Sequence, residues 1–199
     1  MKHIPILIIF LCCYICKGMA QRTFTPKSAV FQKYQQENAY KGIRFGTKLS
    51  DANSKLMLHE ADLLFNMYSI SNYKFTKYSG LQFDEGEAYF TDDAELYQVV
   101  VHQDSLIDGL YAYQKLRSHF LKLFGNNESE RADLPTKMIS WEGTVISVTL
   151  TFDPHNDNNS KDGSVRIKIF NRELSNKSTN QMLKKNKPVY NPEDPIPEI

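Results

Sequence analysis

Residues 85–125 read EGEAYFTDDAELYQVVVHQDSLIDGLYAYQKLRSHFLKLFG, and this stretch decides the fold. It predicts a strand, a tight acidic turn, a second strand and then a long amphipathic helix. Leu106, Leu110, Tyr113, Leu116, Phe120, Leu123 and Phe124 recur at three- and four-residue steps, which places them on one face of a helix over residues 105–124. Asp104 or Ser105 would cap its start, with Asp108 as the acidic partner of a capping box, and Gly125 would close its end. Lys115, Arg117, His119 and Lys122 gather in the C-terminal half, where positive charge suits the helix dipole. A helix with seven apolar side chains on one face must bury that face, so a sheet is expected beneath it.

The strands come from the alternating segments around this centre. In the run 95–102, Tyr97, Val99 and Val101 are expected on one face and Leu96 and Val100 on the other, as in a strand covered on both sides. Residues 73–78 and 81–90 alternate as well, separated by a turn at Ser79-Gly80. Downstream, 137–141 and 144–152 flank a turn at Glu142-Gly143. Ile146, Val148, Leu150 and Phe152 form an inward row, and Val165, Ile167 and Ile169 form the last one. Residues 126–133 and 153–163 read as polar loops. Upstream, Ile43 and Phe45 define a short strand ending at Gly46, and Leu49, Leu56, Leu63, Leu64 and Met67 suggest helical packing within 51–68. The expected architecture is α+β: an antiparallel sheet of about five or six strands, with the 105–124 helix packed on one face and a shorter N-terminal helical segment.

The ends of the chain read differently. Lys2 and His3 precede an almost wholly apolar run from Ile4 to Cys16, and Gly18-Met19-Ala20 supplies small residues for cleavage, so residues 1–20 are expected to be a secretory signal peptide. The run falls short of the roughly 20 apolar residues that span a bilayer. Its removal takes away Lys2, Lys17 and no acidic residue, which turns the formal charge from +1 to −1. A near-neutral chain gives no electrostatic reason to expect nucleic acid or an anionic membrane. All three cysteines, Cys12, Cys13 and Cys16, leave with the signal, so the mature chain is expected to be disulfide-free and held by its core. Lipid anchoring is disfavoured, because none of these cysteines follows a small residue. Residues 21–40 are expected to be an arm or short helix, 41–174 a single domain, and 175–199 a mobile tail rich in Pro, Lys and Asn.

The order G-I-x-F-G-T-x-L-S at 42–50, then paired strands, a long helix ending Phe124-Gly125 and a strand with Ser140-Trp141-Glu142-Gly143, resembles a loose group of small exported bacterial proteins of unknown function. Their opening has the form G-[IL]-x-[WF]-G-x-x-x-[ST], and the resemblance spans about Gly42 to Leu174. It implies an α+β domain in the periplasmic or extracellular space and brings no active site with it. The glycine–turn–helix opening also resembles that of outer-membrane assembly lipoproteins, from which the chain departs after Gly46.

No catalytic constellation stands out. The loop 153–162 is rich in oxygen ligands, but Asn158 and Ser164 occupy the positions where an EF-hand requires glycine and glutamate. Asp84, Glu85, Glu87, Asp92, Asp93 and Glu95 invite a carboxylate pair for acid–base hydrolysis, against the plainer reading of solvated turns. His59, His102, His119 and His155 lack zinc-motif spacing and are read as surface or strand-edge residues. No cofactor or metal is expected. Among the many aromatics, Tyr111 and Trp141 are the candidates for a binding surface. The sequons at Asn127, Asn158 and Asn176 matter only in a eukaryotic secretory path. The expected function is that of a non-enzymatic binding or accessory domain of the cell envelope or extracellular space, with a protein or glycan partner. A hydrolase assembled from distant residues is the alternative.

Overall fold

A computed structural model describes residues 28–126, 129–131, 135–155 and 160–185. The expected signal peptide lies outside the described residues. The chain is α+β, and its sheet has eight strands rather than five or six. In spatial order these are β3 (Leu58–Asp62), β4 (Met67–Ile70), β7 (Glu85–Phe90), β8 (Leu96–Leu106), β12 (Gly163–Asn171), β11 (Ile146–Pro154), β10 (Lys137–Glu142) and β9 (Ser129–Arg131). Every neighbouring pair is antiparallel. Two small hairpins stand apart: β1 (Ala39–Tyr40) with β2 (Ile43–Arg44), and β5 (Lys77–Tyr78) with β6 (Leu81–Gln82). The topology is two meanders joined by one crossover. After β8 the chain passes through helix α3 (Gly109–Phe124), reaches the far edge at β9 and steps back through β10 and β11 to place β12 beside β8.

Two of the extra strands fall where the sequence pattern misleads. Helix α2 is only Leu49–Leu56, and Met57 ends it in the left-handed region at φ 54°. The chain then forms β3, a single 3₁₀ turn at Leu63–Phe65 and β4. Leu63 and Leu64 fit a helical period with Leu56, yet they sit on that turn and face solvent. The polar stretch after Gly125 contributes β9, which pairs antiparallel with β10.

The expected inward rows are buried: Ile146, Val148, Leu150 and Phe152 on β11, and Val165, Ile167 and Ile169 on β12. On β8 the expected alternation fails at one point. The register shifts between Tyr89 and Phe90, so Leu96, rather than Tyr97, joins Val99 and Val101 in the core. A bulge of this kind reverses which side of the sheet a residue faces. All seven residues from Leu96 to His102 are buried. On the core side lie α3 and an N-terminal cover formed by Phe31 of α1 (Ala29–Glu37), Tyr40, Ile43, Phe45, Ala52 and Leu56.

Helix α3 starts four residues later than expected, because β8 continues through Asp104 and Ser105 to Leu106. Neither of those residues caps it. Its N-terminus is satisfied from across the fold: the Asp108 N–H donates to Asp162 Oδ1 at 2.8 Å, and the Leu110 N–H donates to the Lys161 carbonyl at 2.9 Å. Both acceptors lie just before β12, so one contact caps the helix and fixes its crossing over the sheet. At the other end, Phe120 stacks on Phe124 at 5.5 Å, and both rings pack against Trp141. Phe124 also meets Phe31 and Tyr34 of α1.

The expected tail is a helix as far as the described residues reach. Helix α4 spans Arg172–Lys185; Asn171 Oδ1 caps it by accepting from the Leu174 N–H at 2.9 Å. It lies against β8 and β12 on the face opposite the core, where Tyr97 and Ser178 are both buried. Its anchors are ionic: Lys177 contacts Asp93 at 2.6 Å and Glu95 at 2.7 Å, and Lys185 contacts Asp92 at 2.6 Å. Low apolar content hides this helix in the sequence, because its partners are the charges of the 91–95 turn.

A Cβ at Gly109 would lie 2.8 Å from the Gly163 carbonyl oxygen and 3.2 Å from the Phe152 ring. Helix propensity alone favours alanine over glycine by up to about 1 kcal/mol. The Gly109→Ala variant is nevertheless expected to lose about 1–3 kcal/mol in urea unfolding, because neither backbone can yield without displacing α3 from the sheet.

Candidate functional site

The alternation of β7 and β8 puts Glu85, Glu87, His102 and Asp104 on one face of adjacent strands, with Glu85 directly opposite His102 in the ladder. Bringing them together needs only the tight connection at 91–95. The His102 ring is nearly buried, its side chain 5% exposed, and both its nitrogens are engaged. Nδ1 lies 3.0 Å from Asp104 Oδ1; Nε2 lies 3.2 Å from Glu87 Oε1 and 3.4 Å from Glu85 Oε2. The second oxygen of Glu87 accepts from the Tyr89 hydroxyl at 2.7 Å. Arg166 lies directly across the ladder from His102 on β12 and its charge acts on Glu87.

The charges follow from these contacts. The hydrogen bond to Glu87 raises the His102 pKa, with Asp104 adding to it, against burial that would lower it. The Glu87 carboxyl is held below its ordinary range, chiefly by His102, and Tyr89 is pushed up by burial and by Glu87. His102 is therefore a hub tying together carboxylates from two strands. Sequence reading placed it at the surface or a strand edge; the signal that finds it is the two-residue spacing of Glu85 with Glu87 and of His102 with Asp104 on two strands joined by a tight turn.

Glu85 and Glu87 also line a cleft of about 850 Å³ at the β4–β7 side of the sheet. Met67, Ile70, Tyr73 and Phe83 contribute its apolar wall, and Asp84 lies near the two glutamates. The remaining carboxylates of the expected acidic group are elsewhere. Asp92, Asp93 and Glu95 bind α4, so the six acidic residues divide into a cleft set and an anchoring set.

Tyr111 and Trp141 do not share a surface. Tyr111 is 59% exposed on the outer side of α3, whereas Trp141 is fully buried beneath that helix and donates from Nε1 to the Gly125 carbonyl at 3.0 Å. Trp141 holds the end of α3 in place. Of the other tyrosines, Tyr113 and Tyr97 are buried and Tyr73 is exposed at the cleft.

Three consecutive exposed apolar side chains stand at the β3–β4 hairpin tip: Leu63 at 61%, Leu64 at 87% and Phe65 at 51%. They share a hollow of about 350 Å³ with Asp92, Met182 and Lys185, so the tip stands beside the end of α4. β3 is the outermost strand of the sheet on this side. No family model, curated protein or solved structure matches this chain.

Linkage makes the histidine hub measurable. Because the folded pKa of His102 lies above its ordinary 6.5, its contribution is complete below that value and is lost as pH rises through the raised pKa. Glu87, lowered from 4.5, contributes above that value and loses its contribution as pH falls through the lowered pKa. The urea midpoint in EDTA is therefore expected to fall as pH rises from 6.5 through the raised His102 pKa, and His102→Gln is expected to flatten that decline.

Proposed function

We propose that this protein is an exported, non-enzymatic binding domain of the cell envelope or extracellular space, and that it docks another protein through the β3–β4 hairpin tip. The observation that carries the reading is the exposure of Leu63, Leu64 and Phe65 side by side, whereas Ile107, Tyr111 and Tyr73 are exposed singly elsewhere. Contiguous exposed apolar groups rimmed by polar residues characterise interaction sites. Here the rim is charged, with Asp62 preceding the tip and Asp92 and Lys185 beside it. The tip also ends an edge strand, whose outer backbone groups are open to pairing with an extended segment of a partner. Export is supported by the basic start, apolar run and small residues of positions 1–20.

The hydrolase reading draws on Glu85 and Glu87 sharing a cleft. Acid–base hydrolysis requires one carboxyl held protonated, with its pKa raised. The shift at Glu87 runs downward, and His102 engages both glutamates. Binding is the better fit.

The test is an affinity capture from the envelope fraction of the source cells, read by mass spectrometry, with the wild type beside a Leu63→Ser/Leu64→Asp double variant. Both side chains are exposed, so the variant is expected to melt within a few degrees of the wild type. The wild type is expected to retain a stoichiometric protein partner, and the variant to lose at least about tenfold of it, since charge in an apolar contact opposes association. Recovery of no partner by the wild type, or equal recovery by both, contradicts the reading.

A further inference from the structure

Three carboxylates converge on a single imidazole in the β7–β8 cluster, leaving negative charge in excess even with His102 protonated. Three of these residues, Glu85, His102 and Asp104, offer ligand atoms that all lie within 4.8 Å of one another. The side chains of Glu85 and Asp104 are 58% and 60% exposed, so an ion has a path from solvent. His102 is held by the sheet behind them. Its ring is held between the carboxylates, Nδ1 at 3.0 Å from Asp104 and Nε2 at 3.2 Å from Glu87 and 3.4 Å from Glu85, and Tyr89 fixes Glu87 in turn.

We infer that Glu85, His102 and Asp104 bind a divalent transition-metal ion, with Glu87 and Tyr89 as positioning residues behind the histidine. One imidazole nitrogen with two carboxylates suits zinc and its neighbours better than the all-oxygen preference of calcium or magnesium. Binding takes one ring nitrogen of His102 free of its proton and draws the two exposed carboxylates in to bonds of about 2.0–2.2 Å. Three protein ligands leave a coordination position for water. Glu85 also lines the neighbouring cleft, so that position borders space a small ligand can enter. The site is independent of the hairpin tip, and its loss leaves the docking proposal untouched.

The probe is Zn²⁺, titrated calorimetrically into the purified protein after EDTA treatment and its removal. One Zn²⁺ per chain is expected. Glu85→Gln and Asp104→Asn, both at exposed carboxylates, are expected to weaken binding at least about tenfold, while Glu87→Gln weakens it about 10–100-fold through loss of orientation. His59→Gln, on β3, is expected to bind as the wild type does. Circular dichroism of each variant without metal establishes that the fold is retained. Absence of saturable binding by the wild type, or binding unchanged by both Glu85→Gln and Asp104→Asn, overturns the inference.

Discussion

Strand β8 has to be buried on both faces, and the rest of the fold answers that requirement. Seven consecutive residues, Leu96 to His102, have almost no contact with solvent. A sheet strand in that position needs a layer above and a layer below. The upper layer is conventional: α3 crosses β11 and β12, and the N-terminal segment brings Tyr40, Ile43, Phe45 and Leu56 into the same core. The lower layer is polar, built from α4 and from the Glu87–Tyr89–His102 network. The bulge between β7 and β8 reconciles the two, since it turns Leu96 into the apolar layer and leaves Tyr97 for Ser178 of α4.

The two layers are held by different forces. Above the sheet, aromatic packing dominates, with Phe120, Phe124, Trp141, Phe31 and Tyr34 touching in a chain of ring contacts. Below it, charges select the geometry. Exposed ion pairs contribute little individually. Lys177 between Asp93 and Glu95, and Lys185 on Asp92, act mainly by fixing where α4 lies. The same acidic turn brings β7 against β8 and so creates the histidine hub. One short segment thereby sets both the cover and the candidate site.

Much of the apolar layer was legible from residue order. The inward rows of β11 and β12, the central character of β8 and the buried face of α3 all follow from periodicity, because burial imposes periods of two and 3.6. What was illegible depends on polar contacts between distant residues. Helix α3 begins where Asp162 caps it, α4 lies where the 91–95 turn binds its lysines, and β9 pairs with β10 from within a polar stretch. The Leu63–Leu64 spacing misled for the opposite reason: an apolar pair left outside the core imitates a helix. The candidate site was half visible. Its glutamates stood out as acidic residues, but His102 gains its role only from strand register, and Trp141 lost its candidacy by being buried under α3.

A fold built around a doubly covered strand, with an apolar hairpin at its edge, should be rigid at the centre and open at the periphery. Native-state hydrogen exchange measures that directly. The account predicts that the amides of Val99 to Val101 exchange only with global unfolding, while those of Leu63 to Asn66 exchange through local opening. Protection of α4 should lie between these limits, since it is tied by surface charge. Exchange at Val99 to Val101 as fast as at the hairpin tip would contradict the account, because β8 would then not be the element that the two layers enclose.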